Sequence, residues 1–372
     1  MFSEIIHNLE IEKYKEILKN ATEIDFYNVL TTEKKLEIED FAVLISDIGE
    51  QHLEELAQLA NKITKQRFGL TIHLYAPIYL SNYCENNCLY CGFRRDNKII
   101  RKRLTIKEYK KELEILVSEG MQNILLVAGS DSRLFDNNYI FEIIRYTKEL
   151  AASVSIEIEA QKEEVYRELV KAGADGLVIY QETYLENEYQ KLHPTGMKKD
   201  FNFRINTPDR GACAGFRRVG IGFLLGLADW QKDIFYLVYH LKYLIKKYWR
   251  VLFTVSLPRY RDAGVNFKTN NMISDKKFTQ LICALRIFFN DTPIYLSTRE
   301  APKLRDGLIK CGVTNISAGS KTNPGAYYCD EINTGTQFNV VDNRTIKEIA
   351  EQIRKIGYEP VWKDWEAKVL NA

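Results

Sequence analysis

Eight short apolar runs, spaced by amphipathic stretches, constrain the fold of this 372-residue chain more than any other feature. The runs are 78–82, 123–128, 154–159, 176–180, 218–223, 252–257, 293–297 and 314–318. Each is short and rich in residues that suit a strand. Between and after them, apolar residues at helical spacing predict helices over 106–119, 138–150, 162–172, 200–214, 229–248, 275–289, 302–310 and 345–356. Thr105 with Glu108, and Thr345 with Glu348, form capping boxes that satisfy orphan N–H groups at two helix starts. Gly120, Gly173 and Gly312 fall just past helix ends, where a left-handed residue is needed. Strands alternating with helices imply a parallel sheet with right-handed crossovers. Eight repeats suit an α/β fold of the closed (β/α)8, TIM-like type, with an open doubly wound sheet as the alternative. Residues 1–70 read as a helical N-terminal extension, with apolar stripes in 2–18 and 53–63; residues 71–372 hold the barrel and a C-terminal tail.

Composition removes several classes of function. A hydrophobic fraction of 45% supports a large core, and a net charge of +2 with bases and acids interspersed gives no stripe for nucleic acid. No apolar run is long enough for a membrane span, and the N-terminus lacks the basic and apolar regions of a signal peptide. Seven cysteines, three of them clustered, favour a metal site in a reducing compartment, the cytoplasm, over disulfides. Cys213, Cys283, Cys311 and Cys329 are scattered and read as small buried or half-buried residues.

A barrel of this type gathers its chemistry at the C-terminal ends of the strands. Cys84, Cys88 and Cys91 follow the first run; Gly129, Ser130 and Asp131 follow the second; Glu157 and Glu159 lie in the third. Gln181, Glu182 and Thr183 follow the fourth, Arg259 and Arg261 the sixth, and Thr298, Arg299 and Glu300 the seventh; Ser317, Ser320 and Lys321 stand at or after the eighth. Loop polarity is ordinary, but carboxylates and arginines inside or abutting apolar runs are not. The cysteine spacing suits a loop wrapped round one face of a cuboidal iron–sulfur cluster. Three thiolates hold three irons and leave the fourth open. A structural zinc would want a fourth ligand, yet Cys213 is remote and His73 is on the wrong side of a strand.

This C-x3-C-x2-C run resembles that of the radical S-adenosylmethionine (SAM) enzymes. Further strings narrow the resemblance: Cys91-Gly-Phe93, Tyr180-Gln-Glu-Thr-Tyr184, His193-Pro-Thr-Gly196 with Lys198, Thr207-Pro-Asp-Arg210, Val219-Gly-Ile-Gly222, Ser256-Leu-Pro-Arg259-Tyr-Arg261, Leu296-Ser-Thr-Arg-Glu300 and Val361-Trp-Lys-Asp-Trp365. Together, over about residues 70–366, they resemble the aromatic amino-acid lyases, and among these the tyrosine lyases of bacterial thiamine-thiazole biosynthesis that form 2-iminoacetate.

The resemblance implies a [4Fe-4S] cluster on Cys84, Cys88 and Cys91, with SAM on its open iron. It sets Tyr90 beside the adenine, and Glu182 and Arg204 on the ribose hydroxyls and the carboxylate of SAM. Gly129-Ser130-Asp131 stands where the superfamily shows a Gly-Gly-Glu-like turn, so either Asp131 or Ser130 with backbone carbonyls takes the SAM amine; Glu157 adds a contact. Tyr79, Arg299 and Ser317 would hold the substrate's amino-acid head, with Arg259 and Arg261 competing with Arg299 for the carboxylate. The implied reaction cleaves the Cα–Cβ bond of free L-tyrosine into 2-iminoacetate and p-cresol, with a thiazole synthase and a flavodoxin-type electron donor as partners. The tyrosine lyase of [FeFe]-hydrogenase maturation carries a further C-terminal cysteine cluster; here no cysteine follows Cys329, which favours the thiazole enzyme. A tryptophan lyase of the same branch is the other enzyme reading. A plain iron–sulfur electron carrier and a zinc-stabilised scaffold are the readings outside it.

Overall fold

The computed structural model describes residues 1–329 and 334–363. Its eight parallel strands are β1 (Thr71–Ser81), β2 (Asn123–Ala128), β3 (Ser153–Glu157), β4 (Gly176–Glu182), β5 (Arg218–Phe223), β6 (Leu252–Ser256), β7 (Ile294–Leu296) and β8 (Asn315–Ser317). They pair in sequence order, and β1 pairs with both β2 and β8, so the ring is closed. The closed (β/α)8 barrel stands and the open sheet does not. A ninth strand, β9 (Glu359–Val361), pairs with the first residues of β1, and the chain before it had no strand signal of its own. Asn123 seals that seam by donating to the carbonyl of Leu74 at 2.9 Å.

The strands are buried because helices cover them on the outside. Helix Ile106–Ser118 starts at the Thr105 capping box, in which Glu108 N donates to Thr105 Oγ1 at 3.2 Å and Thr105 N to Glu108 Oε2 at 2.8 Å. Helix Ile346–Lys355 repeats the device at Thr345. Two expectations shift. β1 begins seven residues before position 78, at Thr71. The helix expected over 200–214 breaks into Phe201–Ile205 and Thr207–Ala214, because Pro208 opens a new helix near its N-terminus. Of the Val361–Trp365 string, Asp364 and Trp365 lie outside the described residues.

The N-terminal extension is helical and packs against the barrel. Helix Leu53–Phe68 lies against helix Asp275–Phe288, where Gln280 Nε2 donates to the carbonyls of Leu44 and Ser46 at 2.9 and 2.8 Å. Phe2 stacks on His240 with ring centroids 4.1 Å apart, and Tyr14 stacks on Phe235 at 4.5 Å. The extension therefore packs on the helices after β5 and β6, at the side of the barrel. Among the described residues, no helix is long and apolar enough to cross a membrane.

Candidate active site

The loop after β1 is clasped from three directions. Glu85 N donates to Ser130 O beyond β2 at 2.9 Å, Leu89 N to Leu192 O beyond β4 at 3.1 Å, and Gly92 N to Gln337 O at 3.1 Å. The approach is so close that glycine is required at two facing positions. A Cβ on Gly129 would strike the Tyr83 carbonyl oxygen and come within 3.1 Å of Cys84 Cβ. One on Gly196, whose φ is +87°, would strike the Asn86 side chain.

This clasp presents Cys84, Cys88 and Cys91, all free thiols, Cys88 fully buried. Burial pushes all three thiols up, Cys91 to about 11, and for Cys88 and Cys91 the neighbouring thiolates add to the rise. Such a trio is ionised only when it sits on cations. Among the described residues no three His, Cys, Asp or Glu side chains converge on one ion-sized point, which a lone zinc would need. A cuboidal cluster instead takes each thiolate on a separate iron, and this donor set fits it.

Beside the loop runs a connected polar network. Tyr90 OH lies 2.8 Å from His193 Nε2, and His193 Nδ1 lies 2.7 Å from the Tyr189 carbonyl. A carbonyl only accepts, so Nδ1 carries the proton and the phenol donates to Nε2. Burial holds His193 neutral, with its pKa down to about 3. Lys198 Nζ is 2.5 Å from Glu182 Oε1, and Arg204 Nη2 is 3.5 Å from the same oxygen. Arg204 also donates to the Tyr180 carbonyl at 2.8 Å and reaches Glu159 at 3.3 Å, while Asn86 Nδ2 binds Glu159. Lys198, together with Arg204, holds Glu182 below the usual carboxylate range despite burial.

The barrel mouth opens into a cavity enclosing about 910 Å³, including solvent at its entrance, lined by Tyr79, Tyr90, Cys91, Glu157, Glu182, Lys198, Arg261, Arg299 and Ser317 among others. Tyr75 and Tyr180 line it from strands β1 and β4. Glu157 is pushed up to about 7, first by burial and then by Glu182. Tyr79 OH donates to Gln337 Oε1 at 2.7 Å. Among the described residues, buried Ser317 Oγ and Ser320 Oγ have no hydrogen-bond partner of good geometry; the Tyr75 phenol neighbours Ser317.

The three competing arginines separate cleanly. Arg259 is buried, bound to Glu300 through Nε at 3.0 Å and to Asp275 at 2.7 Å, and does not line the cavity. Arg261 lines it but spends its guanidinium on the Arg299 carbonyl at 2.7 Å and Glu300 at 2.8 Å. Arg299 alone faces the cavity with no ion pair among the described residues; its guanidinium carbon lies 3.4 Å from the centre of the Phe338 ring. Burial lowers its pKa, against the pull of Tyr79, Glu182 and Glu157, which line the same cavity.

After β2, Asp131 is occupied: Arg133 Nε binds it at 2.7 Å and Ser81 Oγ at 2.7 Å. Neither it nor Ser130 lines the cavity. The Thr207–Arg210 string, so informative about kinship, is structural. Asp209 accepts from Tyr243, Lys247 and Tyr248 at 2.7 to 2.8 Å, and Arg210 Nε donates to the Gln161 carbonyl at 2.9 Å. Lys198, Asn86, His193 and Gln337 join the site without having been singled out for it. Asn86 lay inside the cysteine run and Lys198 and His193 stood in a quoted string, and nothing in spacing marked Gln337.

Comparisons with known proteins agree with this geometry. Residues 78–234 match the radical SAM superfamily, and residues 256–359 match the biotin and thiamin synthesis associated domain. The chain is 35% identical over 372 residues to the 2-iminoacetate synthase of Escherichia coli (strain K12), covering 100% of this chain and 98% of that one. It is 35% identical over 367 residues to the 2-iminoacetate synthase of Salmonella typhimurium, covering 98% and 97%. A crystal structure of HydG, a maturase of the [FeFe]-hydrogenase, matches with a TM-score of 0.88 at 34% identity, over 96% of this chain and 80% of that one. The chain therefore belongs to the 2-iminoacetate synthase family of radical SAM lyases, which use a [4Fe-4S] cluster and S-adenosylmethionine.

Proposed function

We propose that this enzyme cleaves the Cα–Cβ bond of L-tyrosine, releasing 2-iminoacetate and p-cresol while SAM yields 5′-deoxyadenosine and methionine. The observation that carries the reading is the Arg299 guanidinium, without an ion pair among the described residues, in a buried cavity beside the Ser317 and Ser320 hydroxyls, which lack a well-placed partner there. A buried cation and orphan hydroxyls are costly without a ligand, and an amino-acid head with its carboxylate meets that need. Cys84, Cys88 and Cys91 hold the cluster. When bound, the reduced cluster and SAM together supply the carbon radical that starts the reaction.

The chain's own residues bind, orient and exclude. Tyr90, fixed by His193, walls the cavity next to Cys91. Glu182 and Arg204 hold the ribose and carboxylate of SAM, with Lys198 tuning the pair. Because Asp131 is already paired and neither it nor Ser130 lines the cavity, Glu157, which does, is left for the SAM amine. Arg299 forks onto the substrate carboxylate, and Tyr79 and Ser317 flank it. The closed barrel shields an imine that water destroys, so direct transfer to a thiazole synthase, for the thiazole of thiamine, suits the product's lability. A reducing cytoplasm suits seven free cysteines.

The test is anaerobic turnover with L-tyrosine and SAM, scored for p-cresol, glyoxylate from the hydrolysed imine, and 5′-deoxyadenosine. L-Tryptophan is offered in parallel. p-Cresol in step with 5′-deoxyadenosine supports the reading; an indole product in its place assigns the enzyme to tryptophan.

A further inference from the structure

The segment between β1 and helix Ile106–Ser118 carries the three cysteines, and its two ends are zipped together. Leu104 N donates to Leu80 O at 2.9 Å, Asn82 N to Lys102 O at 3.1 Å, and Ser81 forms an antiparallel bridge with Arg103. Asn82 adds its side chain: Nδ2 donates to the Ile100 carbonyl at 2.9 Å, and Oδ1 accepts from Lys102 N at 2.6 Å. This neck fixes where the loop begins and ends. It does not fix the course of the chain beyond Cys91.

There the backbone makes two successive turns, with Arg94 N donating to Cys91 O at 3.1 Å and Asn97 N to Arg94 O at 3.0 Å. The turns bring several carbonyls round one point, and the Arg101 guanidinium occupies it. Its Nη1 donates to Asn82 O at 2.5 Å and to Phe93 O at 2.8 Å. Its Nη2 donates to Arg94 O at 2.6 Å, Asn97 O at 3.0 Å and Arg95 O at 3.2 Å. One side chain thus joins the residue two before Cys84 to the residue two after Cys91. Burial lowers the Arg101 pKa, and the ionisable groups that oppose the fall are Cys84, Cys91 and Tyr83, with no carboxylate among them. The fork is spent on backbone. A planar guanidinium can hold acceptors from several directions at fixed angles, which a lysine ammonium does not do.

We infer that Arg101 is the positioning residue of the cluster site: by gathering the carbonyls of Asn82, Phe93, Arg94, Arg95 and Asn97 on one guanidinium, it sets Cys84 against Cys91 before iron arrives. It does not line the cavity and acts only through the loop. Ligands held in place by such a supporting contact bind their metal without first having to be ordered. The proposal rests on Cys84, Cys88 and Cys91 being the cluster ligands.

The experiment compares the full-length wild type with Arg101→Met, Arg101→Lys and a control, Arg286→Met. Arg286 also spends its guanidinium on carbonyls, those of Gly312, Phe289 and Asn290 at 2.8 to 3.3 Å, but it does so from helix Asp275–Phe288. The readouts are iron and sulfide per folded chain after anaerobic reconstitution, the rate at which an iron chelator strips the cluster, and amide hydrogen exchange of the cluster-free protein. Arg101→Met is expected to lose iron to the chelator about tenfold faster and to exchange about tenfold faster within residues 82–101, while strands β2 to β8 exchange as in wild type. Arg101→Lys should match it, because it keeps the charge and loses the fork. Arg286→Met should retain iron as wild type does. Wild-type iron retention and loop exchange in Arg101→Met would overturn the assignment. So would full rescue by Arg101→Lys, which makes charge the cause, or an equal loss of iron in Arg286→Met, which reports general destabilisation. Collapse of the far-ultraviolet circular dichroism of Arg101→Met would also overturn it, by making Arg101 a residue of the barrel fold. A wild-type chain that takes up no iron would strike the cluster reading itself, and this proposal with it.

Discussion

Replacing Arg299 by methionine separates a residue kept for substrate from one kept for the fold. The guanidinium faces the cavity with no carboxylate within ion-pair distance among the described residues, and its one close partner is the Phe338 ring at 3.4 Å. Losing that cation–π contact costs about 0.5–2 kcal/mol, offset by relief of the desolvated charge. The unfolding free energy of cluster-free Arg299→Met is therefore expected within about 1 kcal/mol of wild type. Arg259→Met should behave in the opposite way. It strips one partner from Glu300, a carboxylate 1% exposed, for which breaking a buried pair costs about 3–5 kcal/mol; Arg261 at 2.8 Å holds the loss to the lower end. Catalysis inverts the order. Two charge-assisted hydrogen bonds to a substrate carboxylate, at about 1.5 kcal/mol each, amount to about 10²-fold in kcat/KM for Arg299→Met. Tyramine, which lacks the carboxylate, supplies the control. Wild type should prefer tyrosine as a competing ligand by about that factor, and Arg299→Met should have lost the preference. If the variant still discriminates against tyramine as strongly as wild type, Arg299 is not the clamp and the reasoning from charge compensation is wrong.

Four further outcomes follow from the same geometry. Alanine at Cys84, Cys88 or Cys91 should abolish iron incorporation, read as iron and sulfide per chain after anaerobic reconstitution. Gly129→Ala, whose Cβ would strike the Tyr83 carbonyl, should lower iron per chain severely while leaving far-ultraviolet circular dichroism unchanged, because it displaces the cysteine loop and not a strand. Ser317→Ala removes a buried hydroxyl without a well-placed partner, so stability should hold or rise while KM for tyrosine increases about fivefold, the effect of about 1 kcal/mol. Glu157, raised from 4.5 to about 7 by burial and by Glu182, binds its proton more tightly folded than unfolded. Its contribution to stability is present below pH 4.5 and is lost as pH rises towards 7. The difference in denaturation midpoint between wild type and Glu157→Gln in cluster-free protein should slope across that window and flatten outside it.

All eight barrel strands were legible because a buried parallel strand is an apolar run, and burial writes itself into sequence. β9 was not, since Glu359-Pro-Val361 has three residues, one of them proline, and owes its pairing to the free start of β1. The early half of β1 was missed for a related reason: His73 and Pro77 interrupt the run, and only tertiary partners make it a strand. In the site, the cysteines were legible because their chemistry depends on spacing. The choice among three arginines was not, because it depends on where Glu300 points. That carboxylate is the sequence neighbour of Arg299, but in the turn after β7 it takes Arg259 and Arg261 instead. The Thr-Pro-Asp-Arg string shows the converse: a pattern can identify a family while its side chains hold helices together.

The two ends of this site grow from the two places where the barrel breaks its own register. β1 slips against β2 between Tyr79 and Ser81, and β4 slips against β5 between Tyr180 and Glu182. An extra residue on one strand re-aims the side chains beyond it. On β1 the slip turns Ser81 onto Asp131 and starts the cysteine loop; on β4 it throws Glu182 into the left-handed region at φ 73°. A non-glycine residue there costs about 1–3 kcal/mol and persists only where its surroundings over-determine it. Lys198 and Arg204 do so here, by fixing the carboxylate on one oxygen. A regular strand would have pointed every second side chain into the barrel and left no means of gathering thiolates from one strand and a carboxylate from the other at one mouth. The irregularities are thus what convert eight interchangeable repeats into a barrel with one functional end.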